Sequence, residues 1–331
     1  MLLSGFLKTV SASVYPARVF VTLWLVMLMG CSVTSATVEP RTQFVASTKS
    51  SITGAAEGQV FAGTLKVLTL NVAHGRKEGF NQLFQSEQRI RRNLADVAAI
   101  LKQTGADIVA LQEADGPSRW SGNFDHVVLL AEQADYPWYS RAGHAQGWLF
   151  DYGTALLARR NFTEMLTHAF PPSPPTLTKG FLLGQIAWQP NESDTPPILV
   201  DVISVHLDFS RSSVRQQQIA EMTEILANRK NPMIILGDFN SDWLSNESVV
   251  TDLARRCRLQ TYRPLAEDLG TYRKSERRLD WILISDELEF MNYTVLPDVV
   301  SDHYAVVAEV AFRNDQDINR NKTRGQLACK Q

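Results

Sequence analysis

LKVLTLN, residues 65–71, is an apolar segment that ends in an amide. Alternation followed by a continuous apolar run marks a strand buried on both faces. Downstream, Ile90, Leu94, Val97, Ile100 and Leu101 recur at helical spacing between Ser86 and Gln103, and Gly105 supplies the stop. DIVALQE (107–113) reads as a second buried strand. The segment therefore opens β-α-β, which favours a parallel strand pair.

Further strands are expected in YGTALLAR (152–159), FLLGQIAW (181–188), ILVDVISVHLD (198–208) and PMIILGDFN (232–240). LDWILIS (279–285), LEFMNYTVL (288–296) and HYAVVAEVAF (303–312) continue the series. Helices are expected from Ser213 to Arg229 and from Ser245 to Arg256, and PPSPP (171–175) reads as a loop. Strands outnumber helices, and the helices are interspersed. This pattern suits an α/β fold of two sheets with helices outside, rather than a barrel or a bundle.

Hydrophobic residues make up 44% of the 331 and charged residues 21%, which excludes a largely disordered chain. No repeat or heptad run is present, so solenoid and fibrous readings fall away. The first thirty residues stand apart: Lys8 and Arg18 are their only charges, and the apolar run VFVTLWLVMLM (19–29) precedes Gly30-Cys31-Ser32. Residues 1–30 read as a signal peptide, and LMGC (28–31) resembles a bacterial lipobox that would leave Cys31 lipidated. A short membrane anchor, or a plain signal peptide cut near Ala36, are the alternatives.

The expectation is an exported lipoprotein on the periplasmic side of a bacterial membrane. Residues 31–63, rich in Ser, Thr, Ala and Gly, would form a flexible tether, 64–313 the folded domain and 314–331 a polar tail. With Cys31 lipidated, Cys257 and Cys329 remain, an even number in an oxidising compartment, and are expected to pair. The net charge of the whole chain is −2, and the leader removes only positive charge. A mildly acidic protein has no general advantage in gripping a polyanion, which weighs against a nucleic-acid partner. No apolar seam points to an obligate dimer, so a monomer is expected.

Chemistry is expected where apolar strands end in polar groups. Asn71, Glu113, His206, Asp208, Asp238, Asn240, Asp280, Asp302 and His303 all fall at such places. Singly, each reads as well as a turn residue or a cap. Together their types complement one another. Glu113, Asp302 and Asn71 are hard oxygen donors of the kind Mg²⁺ or Mn²⁺ takes. These segments contain no Cys, which argues against a thiolate zinc site. His303 suits acid/base work, with Asp280 available to fix its tautomer. Asp238 can orient a water, and Asn240 offers an amide donor.

The ordered set LTLNVAHG, ALQEAD, YGTALLAR, SVHLD, GDFNSD, RLDWIL and SDHYAVVAEV resembles the endonuclease/exonuclease/phosphatase superfamily over residues 65–312. The resemblance implies a DNase-like four-layer sandwich: two mixed sheets face to face, helices outside. It implies Glu113 as principal Mg²⁺ ligand with Asn71 and Asp302 nearby. Asp238 would align the attacking water, Asn240 would hold the phosphate, and His303, oriented by Asp280, would stabilise or protonate phosphate oxygen. His206 would donate from the opposite side, Tyr152 would contact phosphate, and Asp208 would give local support.

NVAHG (71–75), LQEAD (111–115) and GNFDHVVLLAEQADY (122–136) further resemble the C-terminal domain of the GPI-anchor lipid-remodelling protein. That would place His74 beside the metal, although His74 reads equally well as a turn residue. Arg89, Arg91 and Arg92 read as a solvated helix face. Trp120, Trp138, Trp148, Phe150 and Trp243 read either as parts of small core clusters or as the apolar mouth of a site. The expected activity is metal-dependent hydrolysis of a lipid or other small phosphodiester. An exported nuclease, a phosphomonoesterase and a catalytically silent binding protein are the alternatives.

Overall fold

The computed structural model describes residues 43–44, 60–79, 82–190 and 196–313. In chain order its strands are β1 (Gln43–Phe44), β2 (Phe61–Ala62), β3 (Leu65–Asn71), β4 (Ile108–Gln112), β5 (Trp138–Gln146), β6 (Asp151–Ala158) and β7 (Glu164–Ala169). They continue with β8 (Gly180–Gln189), β9 (Ile198–His206), β10 (Met233–Asp238), β11 (Leu259–Thr261), β12 (Asp280–Ser285), β13 (Leu288–Val295) and β14 (Val306–Phe312). The α-helices are α1 (Glu87–Thr104), α2 (His126–Gln133), α3 (Ser212–Leu226) and α4 (Val249–Cys257).

Two mixed sheets form the centre. One runs β13-β14-β3-β4-β6-β5, the other β1-β7-β8-β9-β10-β12-β11 with β2 beside β8. β3 and β4 are parallel, as the opening β-α-β pattern requires, and so are β9 and β10. Between the sheets lies an apolar layer that includes Val67, Ile108, Leu156, Leu182, Trp188, Val202, Leu236 and Ile282. A second layer packs α1 and α2 against the first sheet through Ile90, Leu94, Val97 and Leu130. A third packs α3 and α4 against the other sheet through Ile219, Met222, Val250 and Leu253. The order is helix, sheet, sheet, helix: the four-layer α/β sandwich that the motif set implies.

Local chemistry sets the element ends. The Ser86 hydroxyl accepts from the Arg89 N–H to cap α1, and Gly105, at φ +62°, closes it in the left-handed region. Loss of such a cap costs about 1 kcal/mol. Gly237, at φ +152°, lets β10 press against β9, because a Cβ there would collide with the Val205 carbonyl oxygen. That close approach fixes the level of the next residue, Asp238.

Several elements differ from expectation. Two short strands fall inside 31–63: β1 pairs with β7 and β2 with β8, so part of the expected tether belongs to the sheet edge. Trp138–Gln146 is a strand, although its inward side carries Ser140, Ala142 and His144, too small or polar to give an alternating signal. Trp138 itself lies in the inter-sheet core. Cys257 is a half-buried free thiol, whereas its expected partner Cys329, the leader and Cys31 lie outside the described residues. Among the described residues no helix is long and apolar enough to cross a membrane.

Candidate active site

Register brings the polar strand ends to one level. Asp238 on β10 sits opposite His206 on β9 and opposite Asp280 on β12. On the facing sheet, Asn71 ends β3 opposite Gln112 of β4, and Glu113 follows immediately. The two rows meet directly: the Asn71 Nδ2 donates to Asp238 Oδ2 at 2.9 Å. A cleft of about 370 Å³ opens above this meeting point, lined by Asn71, Glu113, His206, Asp238, Asn240, Asp302 and His303 among others.

His303 Nδ1 lies 2.7 Å from Asp280 Oδ2, and its Nε2 faces Asp238 Oδ2 at 3.9 Å. Burial alone would lower the His303 pKa, but Asp280 and then Asp238 outweigh it and lift it to about 10. The two carboxylates thus favour the protonated imidazole. Burial pushes the Asp238 carboxyl upward; Asp280 adds to the rise, while His303 and donors from Asn71 and the Asn240 backbone oppose it. Asn240 uses its backbone N–H on Asp238 and its side-chain amide on the Leu207 carbonyl. An Asn amide carries two N–H donors, so one is left for a phosphate oxygen.

Glu113 fronts the cleft from the opposite row. Burial would raise its carboxyl, yet His74, Lys179, His206 and Arg76 together hold it well below the usual carboxylate range. His74 Nε2 holds one oxygen at 3.2 Å, and His74 Nδ1 is itself anchored on Asp115. Asp302 Oδ2 accepts from Arg76 at 2.7 Å. The donors of Glu113, Asn71 and Asp302 are all oxygens, which fits a hard divalent cation. A second grouping, Asp238, Asp280 and His303, has ligand atoms within 4.8 Å of one another. There the imidazole nitrogen is already committed to Asp280, and one Asp280 oxygen, Oδ1, is buried without a hydrogen-bond partner among the described residues. This grouping is better described as a histidine–carboxylate pair beside a second buried carboxylate.

His74, Glu113 and Asn240 all take left-handed backbone conformations, at φ +55°, +54° and +49°. Non-glycine residues held there store strain of about 1–3 kcal/mol each, and such strain gathers at functional sites.

In sequence, the chain matches the model of the Endonuclease/Exonuclease/phosphatase family across residues 68–303. The chain belongs to this family. Its members hydrolyse phosphoester bonds. No curated protein matches the chain in sequence. Among solved structures, an endonuclease/exonuclease/phosphatase from Beutenbergia cavernae is 19% identical at a TM-score of 0.58, covering 76% of this chain and 72% of that one. A mannosyl-6-phosphatase of Bacteroides thetaiotaomicron is 17% identical at 0.53, covering 75% and 100%. TDP2 of D. rerio, complexed with single-strand DNA product, is 15% identical at 0.54, covering 75% and 98%. At these identities the likeness shows a shared fold.

Within this family member, eight of the expected residues converge: Asn71, Glu113, His206, Asp238, Asn240, Asp302 and His303 on the cleft, with Asp280 directly behind His303. Tyr152, expected on the phosphate, His74, expected beside the metal, and Asp208, expected as local support, stand behind the cleft lining. Tyr152 is buried behind His206, with its phenol 2.8 Å from Nδ1. His74 is buried behind Glu113. Asp208 is turned away to Thr176, Ser210 and Arg211, where it fastens the loop before α3. Each is consumed by partners that leave it no open face. Sequence reasoning missed Arg76 and Lys179. Arg76 sits in a turn, and Lys179 directly precedes a strand, where a lysine reads as solvated. Arg91 lies over the Phe124 ring and pairs with Glu87, on the side of α1 away from the site motifs.

Proposed function

We propose that this protein is a metal-dependent phosphodiesterase acting on lipid head groups or other small phosphodiesters. The carrying observation is the convergence of the His303–Asp280 dyad, Asp238 and Asn240 on a cleft faced by Glu113. Glu113, with Asn71 and Asp302, would hold Mg²⁺ or Mn²⁺. When bound, the metal neutralises charge on the phosphate and steadies the leaving oxygen.

The chain's own residues supply the rest. Asp238, fixed by Asn71 and the Asn240 backbone, polarises a water for in-line attack and takes its proton. The new P–O bond forms as the bond to the leaving oxygen breaks. His303, carrying the proton that Asp280 stabilises, donates to the oxygen that gains charge. Asn240 and His206 offer N–H groups to the remaining phosphate oxygens. No covalent intermediate is required.

The cleft favours a small or lipid ester. Its two arginines are already engaged, Arg76 with Asp302 and Arg277 with Asp242. Phe209 lines it with 64% of its surface exposed, an apolar neighbour for a phosphate. The leader at residues 1–30 and lipidation at Cys31 belong to the same proposal, since a tethered exported enzyme meets head groups before genomic DNA. Intact-mass measurement of membrane-extracted protein tests the lipid.

The test of activity is Mg²⁺-dependent hydrolysis of phospholipid and sphingomyelin vesicles beside plasmid nicking, with Glu113→Ala as control. Head-group release without nicking supports the proposal. Nicking without lipid turnover assigns an exported nuclease, and release of phosphate from monoesters alone assigns a phosphatase. Hydrolysis should fall about 100-fold or more in Glu113→Ala, as loss of a metal ligand requires.

A further inference from the structure

The back wall of the cleft contains a buried cation that the reaction above does not use. Lys179 immediately precedes β8 and is only 4% exposed. Its ammonium contacts the Tyr152 hydroxyl and lies 4.3 Å from the centre of the Tyr152 ring. Among the described residues it makes no ion pair at contact distance. Tyr152, also buried, places its hydroxyl 2.8 Å from His206 Nδ1. Lys179, Tyr152 and His206 thus form a chain that ends at the cleft.

With Lys179 as an ammonium and His206 carrying one proton, the proton bookkeeping along this chain has one solution. A lysine ammonium has only donors. The phenol oxygen therefore accepts from Lys179, and its own proton must point onward to His206 Nδ1. Nδ1 is then the acceptor nitrogen, and the ring proton sits on Nε2. The opposite end of the ring requires the same answer. Nε2 faces Asp238 Oδ2 at 3.5 Å and Glu113 Oε1 at 4.0 Å, where a bare lone pair would be repelled by both acids.

We propose that Lys179 is a positioning residue that, through the phenol of Tyr152, fixes His206 as a neutral Nε2–H donor to the substrate phosphate. A carboxylate in the place of Tyr152 would do the reverse and make a second imidazolium. The consequence for turnover rests on the phosphodiesterase reading above; the tautomer does not.

The test uses the full chain with Mg²⁺ and bis-p-nitrophenyl phosphate as a phosphodiester probe. Heteronuclear NMR of the imidazole nitrogens, assigned by the loss of signals in His206→Gln, reads which His206 nitrogen carries the proton. In the wild type Nδ1 should be bare and Nε2 protonated. In Lys179→Met and in Tyr152→Phe the tautomers should mix, and kcat should fall about two- to tenfold, within the worth of the single hydrogen bond that His206 makes. KM should move less than about threefold, since the donor matters most as charge grows in the transition state. Lys179→Arg should restore both the tautomer and most of the rate. Should Lys179→Met fail to fold, Tyr152→Phe carries the same readouts. A wild-type ring protonated on Nδ1 overturns the proposal, as does a Lys179→Met protein with unchanged tautomer and rate. A correct tautomer in a protein that cleaves no phosphoester leaves this assignment standing and removes the functional reading instead.

Discussion

His303 and His206 both aim Nε2 at the same oxygen, Asp238 Oδ2, from 3.9 and 3.5 Å. Behind His303 stands a carboxylate; behind His206 stand a phenol and a lysine. The same side chain is pushed in opposite directions, up to about 10 on one wall and well below its ordinary value on the other. Two buried imidazoles thus face one carboxylate with opposite proton preferences. On the proposed reading, one wall stores a proton that can leave, and the other presents a proton that stays.

The largest way to break this contrast is to remove the mobile proton. His303→Gln keeps a donor but no acid, and kcat should fall about 100- to 10,000-fold, the range for loss of general acid–base catalysis. Asp280→Asn should come next. It leaves His303 in place without its charged partner, and should cost about 100-fold in kcat with little change in KM, read by steady-state kinetics. If Asp280→Asn is as active as the wild type, the stored-proton account of His303 fails.

The same substitution on the other wall sharpens the comparison. His206→Gln keeps an amide N–H at the donor position and should lose no more than about tenfold, the worth of one imperfect hydrogen bond. A loss as large as that of His303→Gln would make the two histidines equivalent and erase the distinction.

The smallest effect concerns stability. His144 stands near Lys179, is buried, and is held down to about 3 by burial and then by Lys179, His168 and Arg141. Its neutral ring hydrogen-bonds Thr154 Oγ1. The unfolded chain binds this proton near pH 6.5 and the folded chain does not, so stability is full above that pH and is lost as pH falls from 6.5 toward 3. The loss should reach about 2 kcal/mol by pH 5, and Tm measured against pH should be flatter in His144→Gln. An equal slope in both proteins would show that the wall accepts a second charge.

Most of the frame was legible because apolar runs and their polar ends coincide. Asn71, Glu113, His206, Asp238 and Asp280 are each the terminal residue of a buried strand or its direct neighbour, so pattern and chemistry point to the same place. Asp302 and His303 were read at the start of the apolar run 303–312, although the strand begins only at Val306 and they lie in the loop before it. Lys179 and Arg76 were not, because burial of a cation is a tertiary fact that a turn-like context conceals. Tyr152 was found, but its place was not: its position in YGTALLAR brings it to the site, and only the packing of one sheet on the other shows that it stands behind His206. The left-handed turns at His74, Glu113 and Asn240 carry a weak residue signature, since none of the three is glycine and only Asn and His are enriched in that region.

The hydrogen bond between Asn71 and Asp238 joins a strand of one sheet to a strand of the other at their shared rim. It is therefore a clasp between the sheets as well as a contact of the candidate site. Both residues are buried, so the clasp parts only when the sheets themselves separate. On heating, turnover and the tertiary packing of the sandwich should then be lost together.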